Sequence, residues 1–152
     1  MERTIPDRKP PQSKATASAE GGEAPRAFPD EELRILRLTK TNALLLGPSV
    51  ATEAALDLLT ADRAERVWFW TPAQSIRVSE RAIVVIRDVG VLTPYVQAGW
   101  LAALERLPRA RAQVISTNTF SVFPLVARGL FLDALYYRLN CVLVDLRRGG
   151  NA

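Results

Sequence analysis

From about residue 41 onward, short apolar runs alternate with longer segments in which apolar residues recur every three or four positions. Runs of the first kind occupy Ala43 to Leu46, Arg66 to Trp70, Ile83 to Arg87, Gln113 to Ser116 and Val142 to Leu146. They are short and mostly apolar, as strands covered on both faces should be. Between them the spacing predicts helices over Ser49 to Leu59, Thr93 to Leu107, Phe123 to Ala127 and Asp133 to Leu139. In the clearest of these, Val96, Trp100, Ala103, Leu104 and Leu107 share one face, and Thr93 before Pro94 supplies an N-cap and a first-turn proline. A further helix is expected from Pro29 to Leu38, where proline and acidic residues precede Leu33, Ile35 and Leu36. Alternating strands and helices predict an α/β domain around a five-stranded, mainly parallel sheet. Trp68 and Trp70 alternate on an expected edge strand and so share one face, which is expected to pack into the core.

Residues 1–27 break this pattern. They are rich in Pro, Ser, Ala, Gly and charge, with Pro10-Pro11 and Gly21-Gly22 as breakers, and are expected to form a flexible tail before a domain over residues 28–148. A chain of 152 residues, 48% hydrophobic, has room for one domain with a genuine core. The apolar runs fall far short of the ~20 residues that cross a bilayer, and no signal-peptide stretch opens the chain. A cytoplasmic location fits the single cysteine, Cys141, which sits in an apolar run and is expected to be a buried, inert thiol. With no histidine and one cysteine, no zinc-type cluster can be assembled and no metal site is expected. A net charge of +4, from 20 basic and 16 acidic residues well interspersed, is an ordinary solvated surface rather than a nucleic-acid footprint.

Candidate chemistry gathers at the ends of the predicted strands. After the first comes Gly47-Pro48-Ser49-Val50-Ala51-Thr52-Glu53, at the place of a phosphate loop. Such a loop needs glycines whose N–H groups wrap phosphates, a lysine for the outer phosphates and a hydroxyl for magnesium. The third strand ends in Arg87-Asp88-Val89-Gly90, and the fourth in Val114-Ile115-Ser116-Thr117-Asn118. The most particular stretch is Gly129-Leu130-Phe131-Leu132-Asp133-Ala134-Leu135-Tyr136-Tyr137-Arg138-Leu139-Asn140, whose order helical packing alone does not ask for.

Together these elements resemble the AAA+ ATPase domain of bacterial sigma-54-dependent transcription activators. The last stretch is similar to that family's "G-x-F-R-x-D-L-Y-Y-R-L-N", and the likeness runs from about Thr41 to Leu146. It implies a three-layer P-loop NTPase-like (AAA+) core, with the fifth, first, fourth, third and second strands in that spatial order. Against the family's "G-E-S-G-T-G-K-E", Gly47 and Ser49 remain, Val50 and Thr52 replace glycines, and Glu53 replaces the lysine. Against "G-T-L-F-L-D-E-I-G-E-L", Arg87 replaces the magnesium-organising aspartate, and Asp88 stands in for the water-activating glutamate. Asn118 matches the polar residue called sensor I. Arg138 matches the second of two arginine fingers, while Leu132 stands where the first would be.

The substitutions imply a pseudo-ATPase. Gly47, Ser49, Thr52 and Glu53 would form a degenerate phosphate loop in which Ser49 serves as an N-cap, and a cation at Arg87 opposes metal binding. Arg87 and Asp88 are then strand-end polar residues, and Arg138 a surface residue or partner of a helix carboxyl end. The family's "G-A-F-T-G-A" insertion, helical lid, receiver domain and DNA-binding helix-turn-helix have no counterpart in the 152 residues. The resemblance implies a non-hydrolysing domain without cofactor, acting in transcription regulation or signalling through a protein partner, the transcription machinery or an AAA+ activator. The alternatives are a residual ATP-binding regulator of sigma-54-dependent transcription, and a receiver-like signalling domain built on Asp88.

Overall fold

The computed structural model describes residues 30–63, 66–78, 82–107 and 112–147; the expected tail over 1–27 lies outside them. In chain order the elements are α1 (Asp30–Thr39), β1 (Ala43–Leu46), α2 (Ser49–Thr60), β2 (Val67–Trp70), β3 (Ile83–Ile86), a 3-10 turn (Val89–Val91), α3 (Pro94–Glu105), β4 (Gln113–Asn118), α4 (Phe123–Ala127), α5 (Asp133–Leu139) and β5 (Val142–Asp145). The strands form one sheet in the order β2-β3-β4-β1-β5, and every pairing is parallel. This is the order expected above, read from the other edge. A receiver-like sheet would run 2-1-3-4-5; here β1 lies between β4 and β5, so that alternative is set aside.

Alternation along each strand builds the three layers. Leu44, Leu46, Val84, Ile86 and Val114 face one side, where Trp100 and Leu104 of α3 and Leu135 and Leu139 of α5 complete a core. Ala43, Leu45, Ile83, Val85 and Ile115 face the other, against Leu33 and Leu36 of α1 and Leu56 and Leu59 of α2. All residues of β1 and β3 are buried, which is why these strands read as unbroken apolar runs. The fourth strand runs two residues past the expected Ser116, because Thr117 and Asn118 pair with Leu45 and Leu46. Thr93 caps α3, its hydroxyl accepting from the Val96 N–H at 3.2 Å.

Polar side chains, Asn42 half-buried and Gln113 buried, tie the amino ends of the strands. Asn42 donates to the Arg138 carbonyl at 2.9 Å and accepts from the Val114 N–H at 2.8 Å. The Gln113 amide donates to the carbonyls of Leu36 and Thr41 at 3.1 and 2.8 Å, fixing the turn between α1 and β1. Ser116 contrasts with these: it is fully buried in β4 and its hydroxyl has no hydrogen-bond partner. Ser116→Ala is therefore expected to raise the unfolding free energy by about 1 kcal/mol, since it removes a stranded hydroxyl and one small atom. Urea unfolding checks this, and a loss of stability would show that the hydroxyl is satisfied in solution.

Two expectations are corrected. Cys141 is exposed rather than buried, because it lies in the turn between α5 and β5 and not within the strand that follows. Ser49 does not cap α2. The helix already includes it, Pro48 occupies the cap position, and no side chain caps the end.

Candidate functional site

The residues singled out at strand ends converge at the carboxyl edge of the sheet, where open parallel α/β folds hold their ligands. Gly47 follows β1 with φ +155°, and its N–H donates to the Asn118 carbonyl at 3.0 Å. A β-carbon there would come within 3.0 Å of the Leu146 side chain, so the close approach after β1 requires glycine. Helix α2 then starts at once. The N–H groups of Ala51 and Thr52 both donate to the Pro48 carbonyl, at 2.9 and 3.0 Å, and the Thr52 hydroxyl donates to the Ser49 carbonyl at 3.2 Å. The segment thus winds into a helical turn rather than a wrapping loop. Two amides that could have met an anion are committed to the helix, and Thr52 is buried.

Glu53, one turn into α2, faces Arg87 at the end of β3. The guanidinium donates to the carboxylate twice, Nε to Oε2 at 2.5 Å and Nη2 to Oε1 at 2.8 Å. It also lies over the ring of Phe69 on β2, 4.8 Å from its centroid. The Arg87 hydrogen bond holds the Glu53 carboxyl below the ordinary carboxylate range, against a smaller opposing effect of burial. The same hydrogen bond raises the Arg87 pKa, and Glu53, Asp88 and Asp57 add attraction. Three carboxylates thus act on one guanidinium, Glu53 by direct hydrogen bonds and Asp88 and Asp57 by weaker attraction. The side chains of the pair remain 41% and 44% exposed, so its net stabilisation is about 0–1 kcal/mol. It occupies the position more than it holds the fold.

Asp88 is exposed and in the left-handed region, φ 54° and ψ 52°, where it opens the 3-10 turn. Its N–H donates to the Thr117 hydroxyl at 3.2 Å. Asn118 turns its amide to the backbone: Oδ1 accepts from the Gly90 N–H at 2.9 Å and Nδ2 donates to the Phe120 carbonyl at 2.7 Å. A β-carbon on Gly90 would lie 2.9 Å from that amide, so Gly90 and Asn118 fit as a pair. The sensor-like residue ties two loops together.

Arg138 is not in this group. It lies at the other end of the sheet, where Nη1 donates to the Leu104 carbonyl at 3.1 Å, at the carboxyl end of α3. Gly47, Ser49, Thr52, Glu53, Arg87, Asp88 and Asn118 gather at this edge; Arg138 does not join them, and the Leu132 N–H donates to Gln97 at 2.8 Å. Asp57 and Phe69, which complete the charge and the stacking around Arg87, were not singled out from the sequence. Among the described residues no group of three or more His, Cys, Asp or Glu could hold a metal ion, and no helix is long and apolar enough to cross a membrane.

No known family profile matches the sequence, and no curated protein matches it. Solved structures do. The chain is similar to NtrX from Brucella abortus in complex with ADP, with TM-score 0.64 and 16% identity over 78% of this chain and 34% of that one. To the same protein in complex with ATP the TM-score is 0.63, with 18% identity over 84% of this chain and 39% of that one. It is also similar to the P-loop NTPase domain of the sigma-54 transport activator from E. coli, with TM-score 0.53 and 18% identity over 71% of this chain and 98% of that one. The chain thus spans about a third of the length of the NtrX chains. At these identities the likeness is one of fold: the chain has a three-layer, P-loop NTPase-like α/β architecture.

Proposed function

We propose that this protein is a non-hydrolysing member of the sigma-54-interaction type of AAA+ domain, acting in bacterial transcription regulation through protein contacts. The observation that carries the proposal is the Glu53–Arg87 ion pair. In the register of the resemblance, Glu53 stands at the phosphate-loop lysine and Arg87 at the magnesium aspartate. Each charge is inverted, and the two inverted charges neutralise one another. A polyphosphate entering here would meet the carboxylates of Glu53, Asp57 and Asp88 around a guanidinium already engaged. Magnesium would meet that guanidinium in place of a ligand. The residues present do not fit a magnesium nucleotide, and no hydrolytic step is assigned to them. The commitment of the Ala51 and Thr52 amides to α2 and of the Asn118 amide to two loops supports the same reading.

The test is calorimetric titration with ATP and magnesium, together with phosphate release. No saturable heat is expected up to about 1 mM nucleotide, and no hydrolysis above the buffer rate. Saturable binding in the micromolar range would favour the residual ATP-binding regulator. Hydrolysis abolished by Asp88→Asn would refute the proposal outright. For the partner, capture from the native cell is expected to recover polymerase-associated protein or an AAA+ activator.

A further inference from the structure

The sheet has a concave feature at its amino end, opposite the Glu53–Arg87 pair. Thr41 and Asn42 before β1, Ala112 before β4, Cys141 before β5 and the carboxyl ends of α1, α3 and α5 line a cleft of about 360 Å³. That lies within the range of roughly 300–1,000 Å³ typical of small-molecule pockets. We propose that this cleft binds a small organic anion, a phosphate or carboxylate head on an aromatic or aliphatic body.

The charge of the cleft supports an anion. Lys40 and Arg138 line it, and no Asp or Glu is among the described residues that do. Three helix carboxyl ends each bring about half a unit of negative charge, against two full positive charges. One of those ends is already met, since Arg138 donates to the Leu104 carbonyl at 3.1 Å. That bond also holds the guanidinium against the wall of the cleft and leaves its other N–H groups available to a ligand. Lys40 closes α1 with φ 57°, a left-handed position where glycine is the usual residue. Its N–H donates to the Leu36 carbonyl at 2.9 Å, which fixes the rim from which its ammonium extends.

The remaining wall supports an organic body rather than a bare ion. Leu104, Leu107 and the ring of Tyr137 line it, so a ligand with an apolar part would remove their surface from water. Cys141 also lines the cleft, exposed, with its sulfur 3.6 Å from the Arg138 carbonyl. It is the only cysteine in the chain, so its reactivity reports on this place alone.

The proposal is independent of the nucleotide position, and the ATP titration above can succeed or fail without touching it. The experiment follows alkylation of Cys141 by iodoacetamide, a neutral reagent, by intact mass at constant ionic strength. Phenyl phosphate is the probe, with phenol and inorganic phosphate as separate arms. Phenyl phosphate is expected to slow alkylation saturably by about tenfold, with half-effect near ~1 mM. Phenol and inorganic phosphate alone should leave the rate within about twofold. Lys40→Asn, which tolerates the left-handed backbone, should raise the half-effect concentration about tenfold. An unchanged rate at saturating probe overturns the proposal. Equal protection by inorganic phosphate overturns the organic part of it, and equal protection in Lys40→Asn overturns the role of the cation.

Discussion

Replacing Gln97 with leucine is expected to lower the unfolding free energy by about 3–5 kcal/mol, a large share of the stability of an ordinary domain. Gln97 lies in the first turns of α3 and is 1% exposed. Its amide nitrogen donates to the carbonyls of Leu92 and Leu130, at 2.9 and 3.1 Å, and its oxygen accepts from the Leu132 N–H at 2.8 Å. One side chain therefore satisfies three backbone groups and fastens the loop before α5 to the start of α3. Leucine keeps most of the volume, so the loss measures stranded polar groups rather than a cavity. Urea unfolding gives the magnitude, and amide shifts confined to residues 129–133 would show where it is felt. A loss below about 1 kcal/mol would mean that water replaces the amide without penalty.

Trp100→Ala is expected to cost about 3–5 kcal/mol by a different route, the removal of a large side chain from a filled core. Trp100 is fully buried, with its ring 5.3 Å from that of Trp70 in an edge-to-face contact and 6.3 Å from that of Trp68. These contacts hold edge strand β2 against α3, and β2 pairs with β3 alone. The loss should therefore appear first in near-ultraviolet circular dichroism, as the Trp68 and Trp70 rings lose their fixed surroundings. Trp100→Phe should cost less, about 1–2 kcal/mol, because it keeps a ring and removes an indole N–H that has no partner. If the alanine and phenylalanine variants melted alike, the indole contacts would not be what secures β2.

Much of this architecture is legible in the sequence, because the strands of a sheet covered on both faces leave dense apolar runs. Ile83–Ile86 and Ala43–Leu46 are buried throughout and were readable at once. Thr93 was readable as a cap because a proline follows it. Ser49 misled for an instructive reason: a serine after Gly-Pro is a good capping residue, yet Pro48 takes the cap position and the helix absorbs the serine. Cys141 misled because it adjoins an apolar strand whose first residue comes only after it. Gln97, Gln113 and Asn42 were invisible, since a polar residue that satisfies distant backbone groups looks like one that faces water. At the candidate site, Glu53 and Arg87 were each visible as charged residues near strand ends. Their pairing was not, because 34 residues separate Glu53 from Arg87 and only the sheet brings them together. The signal available was the complementarity itself: two opposite charges at positions that the expected strand order makes neighbours.

The placement of β1 between β4 and β5 bears on how the chain is made. β1 leaves the ribosome before both of the strands it pairs with, and the bonds of Asn42 just before it span 72 and 96 residues. At about 5–20 residues per second of synthesis, the first of those partners follows β1 by roughly 4–14 s. Throughout that interval an apolar segment destined for the interior of the sheet lacks both of its neighbours, while β2 and β3 can already meet. The growing chain thus spends seconds with a wholly apolar strand uncovered, which makes chaperone capture and protection from neighbouring nascent chains the sensitive stage of its synthesis.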